Sequence, residues 1–290
     1  MIDSKVQMVS TCYNHEVLHF ERPVFKRIRR SYLITMSTSS RRDSYIAQLH
    51  KYPPTAEVIV VRNAGYRKCE KAAWINTPAS DLWDANLHIA ACAMRQGTEP
   101  VLILEDDFLF TDNFPVHAEN MEEFMCKESR TPIAYKLGCF PMLASPFADP
   151  QGHIRIFADA DTHAVIYNRA ALEVFDSITT DMKTSSYPFH DAILYRHLNV
   201  YAAQKPCAIQ TKDFETENAQ AWNWTYVPEI VFHCLGGTSP DYYRNAHACY
   251  GGVVPWIASL LAVGIFFIDK SIRLTFSTLE TNEFKSKNQV

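Results

Sequence analysis

The chain lacks any Cys-x-x-Cys pair: its eight cysteines, at 12, 69, 92, 126, 139, 207, 234 and 249, are scattered along 290 residues. That spacing excludes a zinc ribbon and a dense disulfide framework, and the expectation is reduced, partly buried thiols in a cytosol-facing domain. A surplus of one charge is also missing. A formal net charge of −4 gives no general attraction to nucleic acid, so an anionic ligand must meet a local basic patch. The clearest patches are Lys26 to Arg30 and the pair Arg41-Arg42. There is no internal repeat and no low-complexity tract. No secretory signal is expected at the start, because Met1 to Phe20 is polar and carries Asp3, Lys5, His15 and Glu16. Long uncharged runs are absent until Tyr250 to Ile268, where 19 residues pass without a charge between Arg244 and Asp269-Lys270. A helix of that length just spans a hydrocarbon core of about 30 Å, and Trp256 suits an interfacial anchor. The competing reading is a buried or membrane-surface helix.

What is present is most informative at residues 100 to 110, where the apolar run Val101 to Leu104 leads into Glu105, Asp106 and Asp107. Such a run reads as a central parallel strand, and open α/β sheets place their ligands at the carboxyl ends of their strands. Three adjacent carboxylates repel one another and call for a cation. Side-chain alternation points Glu105 and Asp107 the same way, able to share a divalent ion, with Asp106 turned elsewhere. A solvated acidic turn before Thr111 to Asn113 is the plainer alternative.

The remaining pattern supplies a scaffold. Residues 31 to 36 read as a strand, Asp43 to Leu49 as an amphipathic helix ended by Pro53-Pro54, and Glu57 to Asn63 as a second strand closed by Ala64-Gly65. Thr77-Pro78 starts a helix with Thr as N-cap and Pro in its first turn, and Gly97 stops it. Strand, helix, strand, helix, strand is the order of a parallel sheet with crossover helices. Further on, Glu119 to Ser129 predicts a helix and Ile133 to Cys139 a strand. Residues 153–157 and 163–167 predict strands around a turn at 158–161. Asn168 caps a helix carrying Ala171, Leu172 and Phe175, and Tyr187 to Asp191 opens another through about Leu198.

Taken in order, several of these elements resemble glycosyltransferase family 25, the lipopolysaccharide and collagen galactosyltransferase type. They are Tyr32 to Thr35 followed by Arg41-Arg42, the helix ending at Gln96-Gly97, Leu102 to Phe108, Thr162 to Ala171, and His190-Asp191 with Gln210 beyond. One departure is that the family's Ser-His pair before the acidic motif is replaced here by Asp81 to His88. The resemblance, which covers roughly residues 31 to 212, implies an α/β fold of GT-A (Rossmann-like) type, a mostly parallel sheet flanked by helices; the uncharged run at 250–268 adds a C-terminal hydrophobic helix. The implied organisation is a lead segment 1–30, a catalytic domain 31–212, an extension 213–249, a membrane helix 250–268 and a polar tail 269–290.

The implied activity is transfer of a sugar from a nucleoside-diphosphate donor, a UDP-sugar, to a glycan, lipid-linked or protein acceptor with Mn²⁺ or Mg²⁺, without nucleic acid. Glu105, Asp107 and His233 would serve as metal ligands, and Thr35, Arg41, Arg42 and Glu105 would contact the donor. Asp191 would be the general base toward an acceptor hydroxyl. Each has a plainer alternative: a solvated turn for the arginines, a helix-end acid for Asp191, a core histidine for His233. His163 reads as structural, His190 is open, and Trp222 and Trp224 stack on a sugar ring or on the membrane surface, or pack in the core. Rival functions are a metal-dependent phosphohydrolase or nucleotidyltransferase, and a non-catalytic sugar-binding, membrane-associated protein. The catalytic half is expected on the cytosolic side of a single-pass anchor.

Overall fold

A computed structural model describes residues 12–127, 130–160, 162–184 and 190–210. Within them the chain builds a nine-stranded sheet in the order β1-β3-β2-β4-β9-β6-β10-β8-β7 and a small β5–β11 pair. The strands are β1 (Tyr13–His19), β2 (Arg30–Met36), β3 (Glu57–Asn63), β4 (Val101–Glu105), β5 (Phe108–Phe110), β6 (Ile133–Lys136), β7 (Phe140–Ala148), β8 (His153–Ala160), β9 (Ala164–Tyr167), β10 (Asn199–Ala203) and β11 (Ala208–Gln210). The helices are α1 (Arg42–Lys51), α2 (Pro78–Gln96), α3 (Asn113–Lys127), α4 (Arg169–Glu173), α5 (Phe175–Thr184) and α6 (His190–His197).

The strand runs are apolar at consecutive positions because both sheet faces are covered. Tyr32, Ile34, Ile59, Val61, Val101 and Ile103 pack into one core with α2 and α4 to α6. Their alternating neighbours Leu33, Val58, Val60, Leu102 and Leu104 pack into the other with α1 and α3. This is the signature of central strands in an α/β sheet. Most strands share one direction. β1, β8 and β9 run against them, and parallel pairing is confined to β2–β3, β2–β4 and β6–β10.

Local signals fixed several elements. Thr77 accepts from the Ser80 N–H, Pro78 opens α2, and Gly97 closes it at φ 61°, a left-handed value that glycine adopts without strain. Asn168 likewise caps α4 by accepting from the Ala171 N–H. Other expectations need correction. The proposed turn at 158–161 is absent over 158–160, because β8 continues to Ala160 between β7 and β10. Its expected partner, β9, lies instead between β4 and β6. α3 starts at Asn113 rather than Glu119. The polar lead segment supplies edge strand β1, antiparallel to β3.

The reduced-thiol expectation fails for two cysteines. Cys12 and Cys69 form a disulfide with Cα atoms 5.6 Å apart, tying the start of β1 to the loop after β3. Spacing could not show this, since the pair is 57 positions apart and meets only through β1–β3 pairing. Among the described residues no helix is long and apolar enough to cross a membrane. Segment 250–268 lies outside them.

Candidate functional site

The strand order β3-β2-β4 places β2 between the next two strands in sequence, so the crossover from β2 to β3 and the following one from β3 back past β2 to β4 run in opposite directions. Such a reversal opens a crevice at the carboxyl ends of the two diverging strands, here β2 and β4. Their register pairs Ile34 with Glu105, which sets Thr35 beside Asp106. Thr35 donates its hydroxyl to Asp106 Oδ2 at 2.6 Å. Arg41, the residue just before α1, donates from Nη1 to Asp106 Oδ1 at 3.1 Å and lies 3.9 Å from Asp107 Oδ2.

Asp107 is the buried member of the cluster, 5% exposed. Gln210 Nε2 donates to its Oδ2 at 2.7 Å, while Oδ1 is buried without a hydrogen-bond partner. Burial pushes its pKa up to about 6; the Asp106 charge adds to this, and the Gln210 hydrogen bond and Arg41 oppose it. Gln210 reaches the site because β11 pairs with β5 in a register that sets Gln210 opposite Phe108. β11 in turn passes so close to Gly138 that a Cβ there would lie 1.9 Å from the Ala208 carbonyl oxygen, so only glycine fits.

The three acids therefore divide differently from simple alternation. Asp106 and Asp107 share Arg41, whereas Glu105 accepts from the Thr162 hydroxyl at 2.7 Å. The reason is that β4 ends at Glu105 and residues 106–107 form a turn, so the two-residue period stops there. Of the two arginines only Arg41 faces the acids. Arg42 is half exposed and pairs with Glu16 of β1 at 3.1 Å. Asp191 lies in the first turn of α6, with its side chain outside the described set. His233, Trp222 and Trp224 lie outside the described residues. His163 is fully buried beside the motif, its carbonyl accepting from the Glu105 N–H.

Sequence reading gave Asp106 no role and left Gln210 as a motif element without one. The only signal for Gln210 was its place in the ordered resemblance, because the pairing that delivers it spans 103 positions.

A second polar cluster lies at the end of β3, around Asn63. Lys71, almost fully buried, donates to Asp81 Oδ1 at 2.6 Å, to Tyr13 Oη at 2.7 Å and to Asn63 Oδ1 at 3.1 Å, and lies 2.9 Å from Asp84 Oδ2. Asp81 and Asp84, three apart on α2, thus face one ammonium. This gives the departing segment Asp81 to His88 a role in holding the 64–77 loop. His88 stacks on Tyr13, and its pKa is pushed down to about 4 by burial and then by His15.

No group of three or more His, Cys, Asp or Glu able to hold a metal occurs among the described residues. The acid pair nonetheless suits a divalent ion in one respect: Asp107 Oδ1 is a buried carboxylate oxygen lacking a partner. Mg²⁺-type ions are commonly held by one or two carboxylates with substrate phosphates and water completing the shell, a demand this site can meet.

No family model matches the chain, and no curated protein matches it in sequence. Among solved structures, it is similar to a glycosyltransferase involved in the glycosylation of the major capsid of PBCV-1. The identity is 10% and the TM-score 0.37, over 61% of this chain and 83% of the other. It is also similar to a putative glucose-1-phosphate thymidylyltransferase from Bacillus anthracis in complex with sucrose, with 13% identity and TM-score 0.31, over 66% and 74% of the two chains.

Proposed function

We propose that the protein is a glycosyltransferase that takes its sugar from a nucleoside-diphosphate donor in the crevice between β2 and β4. The observation that carries this reading is the convergence at one topological switch point of Thr35, Arg41, Asp106, Asp107 and Gln210, with a buried carboxylate oxygen left over. Such a site has both signs of charge that a diphosphate and its counter-ion require. Arg41 offers a guanidinium to phosphate oxygens, for which its planar fork is well matched. Asp107, with Asp106, would hold Mn²⁺ or Mg²⁺. That ion, when bound, supplies Lewis-acid neutralisation of the leaving diphosphate. Thr35 and Gln210 fix the carboxylates, so their positions do not depend on the ligand. Glu105, anchored by Thr162, keeps its place at the β4 end toward the ribose side. Asp191 is proposed as the base that removes the proton of the acceptor hydroxyl.

Membrane association through residues 250–268 belongs to the same proposal. The side of the membrane is a separate matter. Disulfides persist in oxidising compartments, so Cys12–Cys69 favours a lumenal or external catalytic half over the cytosolic one expected from cysteine spacing.

The test is a donor screen by thermal shift with Mn²⁺ present, followed by product analysis, because a ligand that binds the folded state raises apparent stability. Stabilisation by a sugar nucleotide together with sugar transfer is expected. Release of pyrophosphate from a sugar phosphate and a nucleoside triphosphate would assign a nucleotidyltransferase instead, and binding without turnover a sugar-binding protein.

A further inference from the structure

A cavity of about 60 Å³ lies between α3, β6, the β7–β8 turn and the end of β10. Its wall includes His117 of α3, Tyr135 of β6, Gln151 and His153 at the turn, and Gln204 and Lys205 just after β10; none of the described residues that line it is acidic. One water needs about 10 to 15 Å³ by this measure, so the cavity holds about five heavy atoms, the size of a tetrahedral oxyanion. Inside the wall, His153 is 4% exposed, and its Nδ1 lies 2.7 Å from the Tyr135 hydroxyl. Burial pushes the Tyr135 pKa well above its ordinary value, so the hydroxyl keeps its proton, and donating it to Nδ1 is the arrangement that leaves no hydroxyl hydrogen unpaired. The imidazole then carries its own proton on Nε2. That nitrogen is buried with no partner among the described residues, although buried donors are almost always met by an acceptor. Asp149 of the same turn is engaged elsewhere, its Oδ1 accepting from the Gln151 and His153 N–H groups at 2.9 and 2.8 Å. Positive charge is at hand. Lys205 lies close enough to His117 to join burial in pushing its pKa down.

We propose that this cavity binds a tetrahedral oxyanion, a phosphate or sulfate group, with the His153 Nε2–H and the Lys205 ammonium as its principal donors. His117 and the amides of Gln151 and Gln204 complete the shell. The anion supplies the acceptor that the buried imidazole lacks, and the ammonium supplies charge at the rim, where Gln151, Gln204 and Lys205 are exposed. An open rim admits either a free ion or the phosphate of a larger molecule. The cavity shares no residue with the Asp106–Asp107 cluster, so it stands or falls apart from the nucleotide-sugar reading.

Calorimetric titrations of the full chain in EDTA with sodium sulfate, inorganic phosphate and glucose 6-phosphate test it. Sulfate and phosphate should each bind at one site, and Lys205→Gln, a change at an exposed position, should weaken both by about tenfold, the loss of one charge-assisted hydrogen bond. His153→Phe alone would strand the Tyr135 hydroxyl. The double variant Tyr135→Phe, His153→Phe removes both partners and keeps ring volume, so it should still unfold cooperatively in urea while binding no sulfate. Arg41→Gln should bind sulfate as the parent does, which separates this cavity from the basic group beside the acids. Glucose 6-phosphate binding more tightly than inorganic phosphate would assign the phosphate of a larger molecule as the occupant, and equal or weaker binding the free ion. A parent that binds neither sulfate nor phosphate at millimolar concentration overturns the proposal, as does full affinity in Lys205→Gln or in a folded double variant, or a loss of sulfate binding confined to Arg41→Gln. Should the double variant fail to fold, the Lys205→Gln and Arg41→Gln titrations decide.

Discussion

Replacing Asp107 by asparagine should stabilise the protein while removing its proposed function. The carboxyl is 5% exposed and its pKa is pushed up to about 6 from 3.8, chiefly by burial. The folded state therefore holds the Asp107 proton more tightly than the unfolded chain does, and stability falls as pH rises from about 4 to about 6. At 1.36 kcal/mol for each tenfold change in proton affinity, the charged form costs the fold about 3 kcal/mol above that window. Asparagine is neutral at every pH and keeps an oxygen for Gln210. Asp107→Asn should accordingly be about 3 kcal/mol more stable than the parent at pH 8, with the gain shrinking toward zero below about pH 4. With an unfolding slope of about 3 kcal/mol per molar in urea, the midpoint rises by about 1 M. Urea unfolding followed by tryptophan fluorescence in EDTA, at pH 4, 5 and 8, measures it. The same variant should lose Mn²⁺-dependent sugar-nucleotide binding. A variant no more stable than the parent at pH 8, or a gain that does not change with pH, would refute the burial argument.

Asp191→Ala should lower turnover by about 100-fold or more with donor affinity retained, the range general-base catalysis supplies; near-normal kcat would leave Asp191 as a helix-end acid. Cys69→Ser should lower stability by about 2 to 4 kcal/mol under oxidising conditions and by nothing under reducing ones, read by unfolding with and without dithiothreitol. In cells, a lumenal catalytic half should show Cys12 and Cys69 resistant to alkylation and the sequon Asn223-Trp224-Thr225 glycosylated, and a cytosolic one the reverse. If 250–268 is an anchor, the full chain should resist carbonate extraction and removal of residues 250–290 should release a soluble domain. A truncated protein that aggregates, with the intact one fully soluble, would identify a core helix instead.

Where structure depends on neighbours along the chain, the sequence sufficed. β3 occupies the expected Glu57–Asn63, and α2 runs from its Thr77 cap to the Gly97 stop, because capping, left-handed glycine and uninterrupted apolar runs act within a turn or a strand. The acidic strand end was equally legible, and its position at the carboxyl edge followed from the order of the first three parallel strands. Long-range pairing decided the rest. β1 looked like a polar lead because an edge strand buries few of its side chains. β9 left its expected partner for the gap between β4 and β6, a choice set by sheet packing and not by any local turn signal. The same reason governs the site. Residue types alone offered three acids and two arginines, but the turn after Glu105 broke the alternation, edge strand β1 drew Arg42 away through Glu16, and β11 brought Gln210 to Asp107 from 103 positions along the chain. The unequal fates of Arg41 and Arg42, and the burial that raises the Asp107 pKa, are properties of what packs around a side chain, which only the tertiary structure supplies.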